Sequence, residues 1–102
     1  MAADSYKCAK PQYTDILVTV TEPTANAVTV SMGSIRNLVM KASEAEYRPT
    51  GVPLRKFMGR YRDILGQPHD RTLYIAKGFT ELDLPTGSEP HQYTRFNCAR
   101  QA

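Results

Sequence analysis

The sequence predicts a small α+β domain in which two helices pack on one face of an antiparallel sheet and irregular arms flank it. Three segments alternate apolar and polar residues as strands do, and two segments between them change to helical spacing, which gives the order β-β-α-α-β. A chain of 102 residues is long enough for one hydrophobic core. The predicted division is an N-terminal arm at 1–14, the domain at 15–84 and a C-terminal arm at 85–102.

The strands are predicted from period-two alternation rich in β-branched residues. The segments at 15–21 (DILVTVT) and 27–32 (AVTVSM) both show it. A polar turn containing Pro23 and Asn26 joins them, so they are predicted to form an antiparallel hairpin. The segment at 71–77 (RTLYIAK) alternates in the same way and predicts the third strand.

Two helices are predicted between the second and third strands. Ser34 is a suitable N-cap for the first helix, which ends at Arg48-Pro49 because proline disfavours helical geometry in the residue before it. Pro53 suits the first position of the second helix, and Gly66 suits the left-handed position after its last turn. The apolar residues that would face the core from the second helix are Leu54, Phe57, Met58, Tyr61, Ile64 and Leu65.

The two cysteines lie near opposite ends of the chain and leave two alternatives. Cys8 and Cys98 are either two unpaired thiols or a bridge that closes nearly the whole chain. The N-terminal residues lack the apolar core of a secretory signal, so the sequence favours unpaired thiols and a reduced intracellular compartment, an organelle included. No apolar run reaches the roughly 18 to 20 residues that a helical membrane span requires.

Positive charge is concentrated in the middle of the chain. Residues 48–77 contain seven basic and two acidic residues, a net charge of +5, whereas the whole chain carries +3. Residues 78–91 contain three acidic residues and no lysine or arginine. The chain is therefore polarised, although its overall charge is too small to imply nucleic-acid binding by itself.

The basic residues of the predicted second helix are either a solvated face or a binding surface. Arg55 and Arg62 would flank one edge of its apolar stripe, and Lys56 and Arg60 would flank the other. Because Lys56 and Arg60 would be like charges one turn apart, with only Asp63 close by, an acidic group is expected to approach from elsewhere. That group would belong either to this chain's own acidic segment or to another molecule.

No catalytic or metal-binding constellation emerges from the sequence. His69-Asp70 has the residue types of an acid–base pair, but adjacent residues in a turn rarely achieve the required geometry. Cys8, His69, His91 and Cys98 have the ligand types of a zinc site without the close spacing that preorganises one. The sequence therefore predicts a protein that is not an enzyme, with no metal and no cofactor.

The terminal arms carry tyrosines interleaved with basic residues, a combination that is enriched at protein interfaces and also suits base stacking. The arms either bind a partner or fold back on their own body. Together with the basic residues above, they give the predicted partner-binding set, which is Arg55, Lys56, Arg60, Arg62, Tyr13, Tyr93, Arg95 and Phe96.

These observations predict a non-enzymatic interaction or linker-type subunit that binds other protein subunits of a larger assembly. The alternative is a small nucleic-acid-binding protein of the ribosome-associated kind, which would place the same arginines on phosphates. The two differ in their expected response to salt, because several phosphate contacts make affinity fall steeply as salt is added.

Overall fold

The computed structural model is an all-β protein whose eight antiparallel strands close into a barrel. The structure describes residues 4–20, 26–47, 53–85 and 93–101. Each strand pairs with its neighbours in sequence, and the last strand pairs with the first. The strands are β1 (Asp4–Ala9), β2 (Ile16–Val20), β3 (Ala27–Met32), β4 (Ile35–Tyr47), β5 (Leu54–Arg62), β6 (Pro68–Ala76), β7 (Glu81–Pro85) and β8 (Tyr93–Arg100).

The α+β prediction is wrong because both predicted helices are strands, and the described residues contain no helix. The first predicted helix is β4, in which Leu38 and Met40 are buried while Val39 between them is 55% exposed. Burial along these residues thus alternates with the period of a strand. The predicted helix end at Arg48-Pro49 lies outside the described residues.

The second predicted helix is β5, which forms an uninterrupted ladder with β6 from Leu54 opposite Ala76 to Arg62 opposite Pro68. Phe57 points into the barrel, and its neighbour Met58 is 44% exposed. Gly66 does adopt a left-handed conformation, with φ of 81°, but it does so in the turn between two strands. Cross-strand pairing along the full length of two strands outweighs local helical preference here.

The predicted strands are confirmed. The first two are β2 and β3, and they form the predicted hairpin, with Val18 opposite Val30. The third overlaps β6, which starts three residues earlier and ends one residue earlier than predicted. The predicted turn residue Pro23 lies outside the described residues, and Asn26 directly precedes β3.

The segments predicted to be irregular arms contribute β1 and β8, whose pairing closes the barrel. Cys8 and Cys98 face each other across these strands with Cα atoms 3.9 Å apart, and they form a disulfide. The prediction of unpaired thiols is therefore wrong, and the alternative of a bridge holds. The bond joins the first strand to the last, where the barrel would otherwise open.

The hydrophobic core lies inside the barrel and takes side chains from every strand. Gly59 faces this core, where an added Cβ would lie 2.8 Å from the backbone oxygen of Val39 and 3.0 Å from Cγ of Met40. Glycine thus lets β4 and β5 approach closely. The fully or nearly fully buried core residues are Cys8, Ile16, Val18, Val28, Val30, Leu38, Met40, Phe57, Leu73, Ile75, Leu82 and Phe96.

A bulge bends β4 near its start. The register between β3 and β4 shifts between Val30 and Met32, and Asn37 on the bulged strand has φ of 54°. Asparagine tolerates this left-handed geometry better than most residues. The backbone N–H of Asn37 donates to Oγ of Ser31 at 3.0 Å. The bulge lies beside the site described below. Among the described residues, no helix has the length and apolar character needed to cross a membrane.

Candidate functional site

The turns after β1, β3 and β5 lie at the same end of the barrel. Because the strands are antiparallel and pair in sequence order, successive connections alternate between the two ends. We call this end the mouth and define it by residues 10–15, 33–34 and 63–67. Both features that follow, an exposed turn and a cavity, belong to the mouth.

The β5–β6 turn is held by Asp63. Its Oδ1 accepts hydrogen bonds from the backbone amides of Leu65 and Gln67, both at 2.9 Å. The backbone adds two further bonds, from the Gly66 amide to the Asp63 carbonyl at 2.9 Å and from the Asp63 amide to the Gln67 carbonyl at 3.0 Å. An aspartate that bonds to the backbone two residues onward is a common way of fixing a turn.

Side chains on both strands brace this turn. Nε2 of His69 donates to Oδ2 of Asp63 at 2.7 Å, and the His69 ring stacks on Tyr61 with centroids 5.3 Å apart. Arg62 donates from Nη1 to the Gly66 carbonyl at 2.7 Å. The hydrogen bond from His69, followed by that from the Gln67 amide, lowers the pKa of Asp63 from its ordinary value of 3.8.

The braced turn presents two large aliphatic side chains to water. Ile64 is 100% exposed and Leu65 is 82% exposed. We call these two residues the hairpin tip. A turn needs polar and small residues to shape its backbone, and Asp63 and Gly66 do that here, so the aliphatic side chains of Ile64 and Leu65 are not needed to form the turn.

The pKa of Asp63 predicts how the turn responds to acid. A carboxylate with a lowered folded-state pKa stabilises fully above its unfolded value of 3.8, and this contribution is lost as the pH falls through the lower folded value. We therefore expect the amide signals of Leu65 and Gln67 in NMR spectra to report protonation of the Asp63 carboxylate as a shift below about pH 4. In an Asp63→Asn variant this transition should be absent. A transition centred above pH 3.8 in the unsubstituted protein would contradict the assignment.

A cavity of about 1000 Å³ opens at the mouth, bordered by the hairpin tip's Ile64. Arg71 reaches it from β6, and its Nε is buried without a hydrogen-bond partner within the described part of the chain. A buried donor without an acceptor lowers the free energy of unfolding by about 1–3 kcal/mol. The apolar walls are formed by Ile16, Met32, Ile35, Leu38, Leu84 and Phe96.

The acidic group expected beside Arg60 comes from the neighbouring strand of this chain. Asp70 lies opposite Arg60, and Nε of Arg60 donates to its Oδ1 at 2.9 Å. This hydrogen bond is the main cause of the lowered pKa of Asp70. His69 forms its hydrogen bond with Asp63, whereas the adjacent Asp70 pairs with Arg60. The two residues of the His69-Asp70 dipeptide thus do not act as an acid–base pair.

The four basic residues predicted to share a helix face are divided between the two faces of β5. Arg55 points inward with Phe57, lies over its ring at 5.5 Å and donates to Oδ1 of Asn26 at 3.1 Å. Lys56, Arg60 and Arg62 point to the outside of the barrel, because side chains alternate along a strand. A single basic surface from all four residues is therefore not formed.

The predicted residues near the C-terminus are held by contacts within the chain. Arg95 makes two hydrogen bonds to the fully buried Asp83, at 2.8 and 3.0 Å, and its Nη1 lies 3.4 Å from Glu81. These carboxylates raise the pKa of Arg95, with the Asp83 hydrogen bond contributing most. The Arg95 guanidinium also lies 5.7 Å from the centre of the Tyr93 ring.

Phe96 is a core residue rather than a surface anchor, since it is 1% exposed. Tyr13 lies at the mouth with its ring edge-on to Phe96, the centroids 5.7 Å apart. Among the predicted partner-binding residues, Tyr13, Arg62 and Phe96 border the cavity. Ile64 and Leu65 were predicted to face the core, which is wrong, and neither they nor Arg71 were among the predicted partner-binding residues. Gly66 and Pro68, which follow them, are turn residues and were the signal of an exposed turn.

Within the described ranges, no three histidine, cysteine, aspartate or glutamate side chains come together as metal ligands would. In comparisons with known proteins, no protein-family model, curated protein or solved structure gives a match to this chain.

Proposed function

We propose that this protein is a non-enzymatic interaction subunit that docks onto a protein partner through its hairpin tip. The observation that carries the proposal is the exposure of Ile64 and Leu65 on a turn whose backbone is already fixed by hydrogen bonds. Burying one such side chain contributes about 1.5–3 kcal/mol. A fixed turn also loses little conformational entropy on binding, which leaves more of that energy for affinity.

The chemistry of the tip favours a protein with an apolar pocket over a nucleic acid. Phosphates are bound by cationic side chains that are available to them. Arg60 already pairs with Asp70, and Arg62 already bonds to the Gly66 carbonyl. A nucleic acid would have to compete with these contacts and would gain nothing from two aliphatic side chains.

The disulfide indicates the kind of compartment in which this protein would bind its partner. Disulfides persist in oxidising surroundings and are rare in the reduced cytosol. The Cys8–Cys98 bond supports an oxidising compartment for the assembled protein, in place of the reduced one expected from the sequence.

The docking proposal is tested with a double variant, Ile64→Ser and Leu65→Ser. We expect it to fold normally, because both side chains are exposed, and to lose partner binding by at least about tenfold. The readout is the amount of partner retained from the native source on immobilised protein, identified by mass spectrometry. For the unsubstituted protein, amide exchange of residues 62–67 should be slower in the recovered complex than in the free protein.

The matched control is Leu17→Ser with Met58→Ser, which removes two apolar side chains that are 43% and 44% exposed on the barrel wall and do not border the cavity. This variant should retain the partner. Equal retention by the tip variant and the unsubstituted protein would contradict docking through the tip. Capture of nucleic acid that survives the tip substitutions and falls steeply with added salt would support the nucleic-acid alternative instead.

A further inference from the structure

We propose that the cavity at the mouth binds an apolar molecule that carries a carboxylate, with Arg71 as the anchor for the charged group. This site adjoins the hairpin tip at Ile64, but its charged anchor and its apolar walls lie outside the tip. An eight-stranded barrel is wide enough to hold one small ligand where its core does not fill the interior.

Arg71 is placed at the top of the core by the register of β6. It lies on the same face as Leu73 and Ile75, both of which are buried, and opposite Gly59 of β5. Leu38 and Met40 of β4 pack against Gly59, so the position across from Arg71 is filled by the core. The Arg71 side chain itself borders the cavity.

The Arg71 Nε is buried and has no acceptor in the described part of the chain. Asp63 also borders the cavity, but its carboxylate oxygens already accept from the Leu65 and Gln67 amides and from His69. The charged residues bordering the cavity are three arginines, Arg36, Arg62 and Arg71, and one aspartate, an excess of two positive charges. The site thus attracts an anion and leaves a guanidinium donor for it.

The rest of the cavity selects the other half of the ligand. Its inner walls are mainly aliphatic and aromatic, and about 1000 Å³ is at the upper end of the range for pockets that hold small molecules. A carboxylate matches the fork of one guanidinium with two parallel hydrogen bonds. A phosphate with two negative charges would cost more to remove from water beside these apolar walls.

The test compares decanoate with decanol, which has the same chain length without the charge, by isothermal titration calorimetry on the whole protein. We expect decanoate to bind the unsubstituted protein and to bind Arg71→Gln at least about tenfold more weakly, because the charge-assisted contact with the guanidinium is lost. Decanol should bind both proteins equally. The matched control is Arg100→Gln, which removes one positive charge at the opposite end of the barrel and should leave decanoate binding unchanged.

A variant-free measurement covers the case in which Arg71→Gln does not fold. Decanoate added to isotope-labelled protein should shift the amide signals of Tyr61, Arg71 and Phe96 and leave those of Gly78 and Arg100 in place. The proposal is overturned if decanoate does not bind, if it shifts signals only at the opposite end, or if Arg71→Gln binds it as well as the unsubstituted protein. Because Ile64 and Leu65 are untouched in every arm, these outcomes are distinguishable from failure of the docking proposal.

Discussion

Reduction of the Cys8–Cys98 disulfide is expected to lower the free energy of unfolding by about 4–5 kcal/mol, the largest change we expect for this protein. The two cysteines are 90 residues apart in sequence, so the bond restricts almost the whole unfolded chain. A domain of this size is commonly stable by only about 5–15 kcal/mol. The reduced protein should therefore be close to the limit at which the barrel persists.

The position of the bond in the fold adds to this expectation. Cys8 and Cys98 are a directly opposed pair on β1 and β8, the strands whose pairing closes the barrel. Backbone pairing continues on both sides of them, from Tyr6 opposite Arg100 to Ala9 opposite Asn97. Reduction should thus destabilise the closed barrel without changing the register that the remaining pairs define.

The measurement is urea unfolding of the unsubstituted protein with and without a reducing agent, which keeps the volume of both sulfur atoms in place. A Cys8→Ala, Cys98→Ala variant serves as the control, because the reducing agent should not change its midpoint. An unfolding midpoint of the unsubstituted protein that is the same under both conditions would show that the bond contributes nothing to stability.

Removing the charge of Arg95 is expected to lower stability by about 3 kcal/mol, the lower end of the range for breaking a buried ion pair, since the Arg95 side chain is 28% exposed. Its partner Asp83 is 0% exposed and lies on the outer face of β7, between the inward-pointing Leu82 and Leu84. In an Arg95→Met variant the Asp83 carboxylate would remain buried without its two hydrogen bonds. The cost arises mainly from that stranded charge rather than from the lost attraction.

Arg100→Met is a matched control on the same strand. Arg100 pairs with Asp4 at 2.6 Å, but the two side chains are 68% and 46% exposed. Pairs of this kind contribute about 0–1 kcal/mol, so the control should unfold at nearly the original denaturant concentration. Equal destabilisation by the two substitutions would show that burial of Asp83 is not the source of the Arg95 effect.

A double variant separates the two causes of the Arg95 effect. Arg95→Met combined with Asp83→Leu removes both charges and should recover much of the stability lost in Arg95→Met alone. If the double variant is less stable than Arg95→Met, the stranded-charge explanation fails. Chemical unfolding followed by circular dichroism measures all three proteins in the same way.

The helical pattern of residues 54–65 shows why the sequence pointed to the wrong fold class. The pairs Phe57-Met58 and Ile64-Leu65 complete a helical stripe, but in a strand adjacent residues point to opposite faces. Phe57 is accordingly buried and Met58 is exposed, while both members of the second pair lie in a turn. The choice between the two periods depends on pairing with β4 and β6, which no local pattern contains.

The residues of the hairpin tip and the cavity could be predicted from the sequence only in part, because their surroundings also depend on cross-strand pairing. Segment 48–77 was singled out for its charge, and the hairpin tip and Arg71 both lie within it. The pairing of Arg60 with Asp70 depends on a register that brings residues ten apart into direct opposition. Whether a charged side chain is available to a partner is thus decided by its cross-strand neighbour.

By itself the sequence determined the β2–β3 hairpin and the strand within β6, because alternation and turn residues act between near neighbours and have one stable outcome. It also limited the chain to a single core. Only the tertiary structure decided that β4 and β5 are strands, that β1 and β8 close the barrel through a disulfide, and that Ile64 and Leu65 are left in water. These outcomes depend on contacts between residues far apart in the chain, whose pairing free energy no local pattern encodes.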